Sequence, residues 1–214
     1  MLGTHDLAHF TLTDFVLNAT PGVDMAFTVL STLRGGVRSG MAAAAGICAG
    51  CVVHTLAAAF GLAALMAASS AAFNAIKWAG AAYLLWLAIG MIRQGLRGGG
   101  PAAASATQHA SVGPAAQLFR QGFLTNVLNP KVALFFLALL PQFIAADAPS
   151  KTLSFLFLGA WFIVQGLVFL AAFVLLVAPL RRWQPQPAVT RGVQFAGGGL
   201  FALLAARLAL AERV

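Results

Sequence analysis

The residues able to do chemistry in this chain are few, and they gather around two prolines. Pro21 follows Thr20, Pro130 follows Asn129, and each proline leads into an apolar run. Proline removes a backbone donor and clashes with the preceding turn, which frees carbonyls about four residues upstream. At membrane depth such groups are tolerated only when buried in protein or lining a cavity. Matched interruptions in two halves of a chain point to a binding site near the membrane midplane. Asp24 lies just past Pro21 and Gly22, on the first turn of the restarted helix. A carboxylate there interacts favourably with the helix N-terminus. An ionisable side chain inside an apolar segment is a functional candidate by default, and Asp24 is read as a cation or proton site. Lys131, directly after Pro130, is the opposite charge. It is placed to pair with Asp24, to hold a substrate carboxylate, or to snorkel to an interface. Asn126 and Asn129 share a helical face and can both donate and accept. Asp14 stands nearer the start of its helix and is expected at an interface.

A second cluster, Cys48, Cys51 and His54, runs along one apolar segment at spacings of three. Such a stripe could offer soft ligands to a metal. In an Ala- and Gly-rich stretch small cysteines more often permit close helix packing, and Gly46 with Gly50 adds a small-xxx-small pair of the same kind. His54 is the one imidazole in this stretch and is read as part of a polar site.

These residues sit in a chain of 214 residues that is 60% hydrophobic and 8% charged, with a mean hydropathy of +0.88. A soluble domain carries roughly 25% charged residues. No Asp, Glu, Lys or Arg lies between Arg38 and Lys77, between Lys77 and Arg93, or between Lys151 and Arg181. A spanning helix needs about 20 apolar residues, and each interval holds most of one. The net charge of +8 does not point to nucleic acid, because the basic residues fall at the ends of apolar segments rather than on one face. The N-terminus lacks the basic stretch of a secretory signal and is expected to be retained.

Six helices are expected, giving an all-α membrane protein. They run from about Leu7 to Ser31 with a break at 20–22, Gly40 to Ala67, Phe73 to Arg93, Gly122 to Ile144 with a break at 129–131, Thr152 to Ala178, and Val189 to Leu210. A Gly/Ala/Ser linker, 98–118, separates a first three-helix repeat, 1–97, from a second, 119–214. An odd number of spans per repeat makes the two inverted, each with a broken first helix. Arg34, Arg38, Arg93, Arg97, Arg120, Arg181, Arg182 and Arg191 fall in loops on one side, which places those loops in the cytoplasm and both termini outside.

Several stretches resemble the LysE/RhtB amino-acid exporters. Thr20-Pro-Gly-Val-Asp-Met-Ala-Phe, followed by Leu33-Arg-Gly-Gly-Val-Arg-Ser-Gly, looks like that family's first signature. Phe119-Arg-Gln-Gly-Phe-Leu-Thr-Asn-Val-Leu-Asn-Pro-Lys resembles its second, and Lys77-Trp-Ala-Gly-Ala-Ala-Tyr-Leu-Leu, Phe135-Phe, Pro141-Gln-Phe and Gly197-Gly-Gly-Leu match further patterns in order. The resemblance implies a multi-pass protein of the bacterial inner membrane that exports amino acids or similar small zwitterions, driven by protons. Its site would comprise Pro21, Gly22, Asp24, Asn126, Asn129, Pro130 and Lys131. The family's Pro-Gly-Pro reads Pro21-Gly22-Val23 here, and its acidic residue before the second-helix histidine is replaced, at Cys51.

The leading expectation is therefore a cofactor-free secondary transporter whose partners are an amino acid, protons and the lipid bilayer, with a homodimer as one arrangement. The alternative is a metal-cation exporter using Cys48, Cys51, His54 and Asp24. An enzyme is disfavoured, because no nucleophile–base pair or carboxylate cluster of the kind hydrolysis needs is found.

Overall fold

A computed structural model describes residues 3–20, 22–64 and 114–179, together with scattered positions between 75 and 96 and between 195 and 206. Pro21, Lys77, Arg97 and the linker through residue 113 lie outside the described residues, as do part of the expected third helix and most of the sixth. The positions described in those two helices are helical. Among the described residues there is no strand, only one isolated bridge from Thr4 to Ile144.

The first break is real and divides the chain differently from the expected helix boundaries. α1 is Leu7–Ala19 and α2 is Val23–Leu56, continued by a π-helical turn over Ala57–Leu62. Within α2, Gly36 has φ 76° and ψ −168°, a conformation essentially restricted to glycine. Thr32 and Gly40 would stand about 12 Å apart along a straight helix. Instead, a Cβ on Gly40 would touch Thr32 Oγ1. The chain folds back at Gly36, so the expected gap between the first two helices, at 31–40, is a one-residue reversal rather than a loop.

The second break separates α3, Ala115–Val127, from α4, Pro130–Leu134, which runs on through a π turn, Phe135–Leu139, and a 3-10 turn, Leu140–Phe143. The two arms are bent by 47°. α5, Lys151–Val177, begins where Ser150 Oγ accepts a hydrogen bond from the Leu153 amide at 3.3 Å, a standard N-cap. By length and composition, Val23–Leu62, folded back at Gly36, and Lys151–Val177 each hold a stretch apolar enough to cross a membrane, and the bent pair makes a third span if counted as one. The described residues thus show two to three of the six expected spans.

α5 explains how an almost wholly apolar helix chooses its faces. Phe155, Leu158, Phe162, Gly166, Leu170 and Val174 recur every three or four residues and are buried, while Val164, Val168, Leu175 and Leu176 point outward and are exposed. The inward stripe meets protein and the outward one suits lipid. Against this stripe, Phe162 packs on Phe135 and Phe136 with ring centroids 5.2 and 5.0 Å away, and Phe10 meets Phe143 at 5.1 Å. These rings hold α1, α4 and α5 together. α2 and α3 cross closely because their contact is lined by glycine. A Cβ on Gly46 would strike the Phe119 carbonyl, and one on Gly122 would lie 2.5 Å from the Ala43 carbonyl. The small-residue reading of Gly46 and Gly50 holds, with α3 as the partner.

Candidate functional site

The reversal at Gly36 sets the first half of the site. Asp24 and Cys48 lie equally far in sequence on either side of it, and folding the chain there brings them to the same cavity. The close α2–α3 crossing then brings Asn126 beneath Asp24. Asp24 Oδ2 accepts hydrogen bonds from Asn126 Nδ2 at 2.9 Å and from Asn129 Nδ2 at 3.0 Å. The Asn129 amide is fixed at its other end, where Oδ1 caps α4 by accepting from the Lys131 backbone N–H at 3.0 Å. One asparagine thus ends the break and grips the carboxylate across it.

At each proline the carbonyl four residues upstream loses its α-helical donor and keeps only an i+3 backbone bond. That bond runs to Leu17 O from the Thr20 amide at 3.3 Å and to Asn126 O from the Asn129 amide at 2.9 Å, and an ionisable side chain from elsewhere adds a second bond to each. The carbonyl four residues before Pro21 is that of Leu17, and the one four residues before Pro130 is that of Asn126. Proline has no N–H to give either of them. Lys131 Nζ donates to Leu17 O at 3.0 Å and to Thr20 O at 3.0 Å. His54 Nε2 lies 3.0 Å from Asn126 O. Because a carbonyl only accepts, that ring nitrogen carries the proton. A residue after the second break therefore braces the first, and a residue of α2 braces the second. Lys131 turns inward to the carboxyl end of α1 rather than outward to an interface.

The eight residues singled out from sequence fall as follows. Asp24, Asn126, Asn129 and Lys131 converge, and His54 joins them through Asn126 O. Gly22 lies under Lys131, since a Cβ there would be 3.3 Å from Nζ. Pro130 opens α4, and Pro21 lies outside the described residues. The metal alternative fails on geometry. Cys48 and Cys51 are buried in the helix packing, and among the described residues no group of three or more His, Cys, Asp or Glu side chains could hold a metal ion.

The cavity has a volume of about 30 Å³ and is lined by Leu17, Asn18, Thr20, Asp24, Cys48, Cys51, Asn126 and Lys131 among others. That is room for about two waters. Asp24 Oδ1 and Asn126 Oδ1 are buried in it without a hydrogen-bond partner, so the site is short of donors. Asn18 was missed from sequence, and Asp14, expected at an interface, is fully buried. The signal that would have found both is their spacing of four, with Thr11 one turn earlier, a polar stripe on an apolar helix.

Among proteins of known sequence, the chain is 33% identical over 205 residues to a homoserine/homoserine lactone efflux protein of Salmonella typhimurium, covering 95% of each chain. It is 30% identical over 211 residues to an uncharacterized membrane protein of Pseudomonas aeruginosa, covering 98% of this chain and 97% of that one. It is 28% identical over 155 residues to a leucine efflux protein of Salmonella choleraesuis, covering 72% of this chain and 71% of the other. No solved structure matches. The LysE type translocator family matches residues 15–212, from within α1 through both breaks and past the last described residue, and the chain belongs to that family.

Proposed function

We propose that this protein exports small neutral amino acids or their close derivatives across the inner membrane, in exchange for protons. The observation that carries the reading is the donor-poor cavity between two broken helices. Its free acceptors, Asp24 Oδ1 and Asn126 Oδ1, suit an ammonium group with three N–H donors. The Asn126 amide cannot be reversed to cancel this, because its NH₂ end is committed to Asp24 Oδ2. The substrate carboxylate is assigned to the N-terminus of α2, where unsatisfied backbone N–H groups attract anions and the Lys131 ammonium lies close over Gly22. The names of the efflux relatives point to the same substrate class.

A cavity of about 30 Å³ takes water but not an amino acid, so the site must widen to admit its substrate. Transport then requires the first repeat to rock against the second, exposing the cavity to each side in turn. Lys131 and His54 cross from one repeat to the other and would move with that rocking. Six spans arranged as two inverted repeats, with both termini outside, complete the reading. A reporter active on only one side of the membrane, fused to each terminus, tests the orientation.

The function is tested by overexpressing the protein and challenging cells with inhibitory amino acids and analogues. Homoserine-like or leucine-like compounds should become less toxic, and compounds of the same shape without the amine should not. Protection against none of them would sink the proposal. Asp24→Asn removes the charge that meets the ammonium, and charge-assisted bonds are worth about 1.5–3 kcal/mol. Export should fall at least about tenfold, with the protein still in the membrane. Full activity in that variant would also refute the site.

A further inference from the structure

We infer that Asp14 is a second working carboxylate of this translocation site, a proton-binding group joined to the Asp24 cavity through Asn18. The inference rests on the exporter reading above. Thr11, Asp14 and Asn18 share one face of α1, and that face is turned to α5. Trp161 Nε1 donates to Thr11 Oγ1 at 3.1 Å, Gln165 Nε2 donates to Thr11 O at 2.8 Å, and the Asn18 amide lies 3.6 Å from where a Cβ on Gly166 would be. Asp14 sits between these contacts and is 0% exposed.

The carboxyl group is half satisfied. Asn18 Nδ2 donates to Asp14 Oδ1, while Asp14 Oδ2 is buried with no partner. On the facing helix Gln165 Oε1 is also buried and unpartnered. Two buried acceptors without a donor are what a proton arriving on the carboxyl group resolves, because it turns one oxygen into an O–H. A purely structural aspartate in a helix interface would be expected to have both oxygens bonded.

The surroundings fit a group whose charge changes. From α2, Cys48, Cys51 and Asp24 line the cavity that Asn18 also lines. From α4, Lys131 approaches α1 but places its ammonium on the carbonyls of Leu17 and Thr20. α5 has one ionisable residue, Lys151, in its first turn, about 21 Å along the helix from Gln165. On α1 itself the nearest titratable neighbour in sequence is His9. Asn18 touches both Asp14 and the cavity, so it links the two carboxylates. The division of labour is that Asp24 receives the substrate ammonium and Asp14 receives the proton. The only bond that forms and breaks is the O–H at Asp14, the proton entering from the side of higher proton activity and leaving to the other.

The test uses the full-length protein in liposomes, with the amino acid identified by the toxicity screen. Two rates are compared for the wild type, Asp14→Asn and Asp24→Asn: substrate exchange at equal pH on both sides, and net transport driven by a pH step. Asp14→Asn should lose at least tenfold of the driven rate and less than threefold of exchange, whereas Asp24→Asn should lose both. Equal losses in the two assays for Asp14→Asn, or a driven rate like that of the wild type, would overturn the inference. If Asp14→Asn does not reach the membrane, Asp14→Glu replaces it. That variant keeps a carboxyl group and should shift the pH at which driven transport is half-maximal, and an unshifted profile would overturn the inference. A wild type that exchanges no amino acid would instead remove the exporter reading on which it stands.

Discussion

Replacing Gly50 with alanine adds one methyl group at the α2–α3 crossing, against the side chain of Asn126, and it should cripple transport. A Cβ on Gly50 would lie 2.8 Å from Asn126 Cβ, 2.8 Å from Asn126 Oδ1 and 2.9 Å from the Phe123 carbonyl. Carbon contacts are comfortable from about 3.5 Å, so α3 must withdraw by roughly 0.7 Å. The Phe123 carbonyl belongs to the backbone and cannot swing away, and Asn126 is held by Asp24. A shift of that size takes the 2.9 Å bond from Asn126 to Asp24 and the 3.0 Å contact from His54 to Asn126 O to about 3.6 Å, where neither is a hydrogen bond. Three magnitudes then compete. Alanine is better than glycine in a helix by roughly 0.5–1 kcal/mol, overpacking costs about 1–3 kcal/mol, and a charge-assisted bond is worth about 1.5–3 kcal/mol. The losses win. Export measured in cells normalised for membrane protein should fall about tenfold or more, and the purified protein should melt at lower temperature. Gly61→Ala is the control, since a Cβ there meets no described atom within 4 Å. Export by Gly50→Ala within twofold of the wild type would refute the claim that the α2–α3 crossing positions Asn126.

Two further changes probe the breaks themselves. Lys131→Met should remove the bond to Thr20 O and leave Leu17 O with the Thr20 amide alone, lowering stability by about 3 kcal/mol since two charge-assisted bonds are lost; thermal denaturation of the purified protein reads this directly, and an unchanged melting temperature would contradict the bracing role. Gly36→Ala forces a side chain into a backbone region that costs about 1–3 kcal/mol and misaligns Asp24 with Cys48. Export should fall along with stability, and a second-site change that restores stability alone should not restore export.

The chemistry-bearing residues were legible because a bilayer is so intolerant of polarity. In a chain this apolar, a proline, a carboxylate or an ammonium inside a hydrophobic run needs a reason to be there. Pro21, Asp24, Asn126, Asn129, Pro130 and Lys131 could therefore be picked out one by one. The start of α5 near residue 151 and the glycine contact at Gly46 and Gly50 were equally readable, because each depends on local composition. The burial of Asp14 was not legible, because it is set by α5 packing against α1. Position along a helix does not reveal what lies across it.

What the sequence by itself determined is which carbonyls would lose their α-helical donor, because that follows from covalent structure four residues upstream of each proline. What only the tertiary structure decided is which distant side chains reach those carbonyls and add to the i+3 backbone bonds they keep. Lys131 reaches Leu17 and His54 reaches Asn126, over more than a hundred residues in the first case and more than seventy in the second. Those partners depend on the reversal at Gly36 and on the glycine-lined crossing of α2 and α3. A backbone angle and a distance between helices are properties of the folded chain, and they turn two separate interruptions into one site.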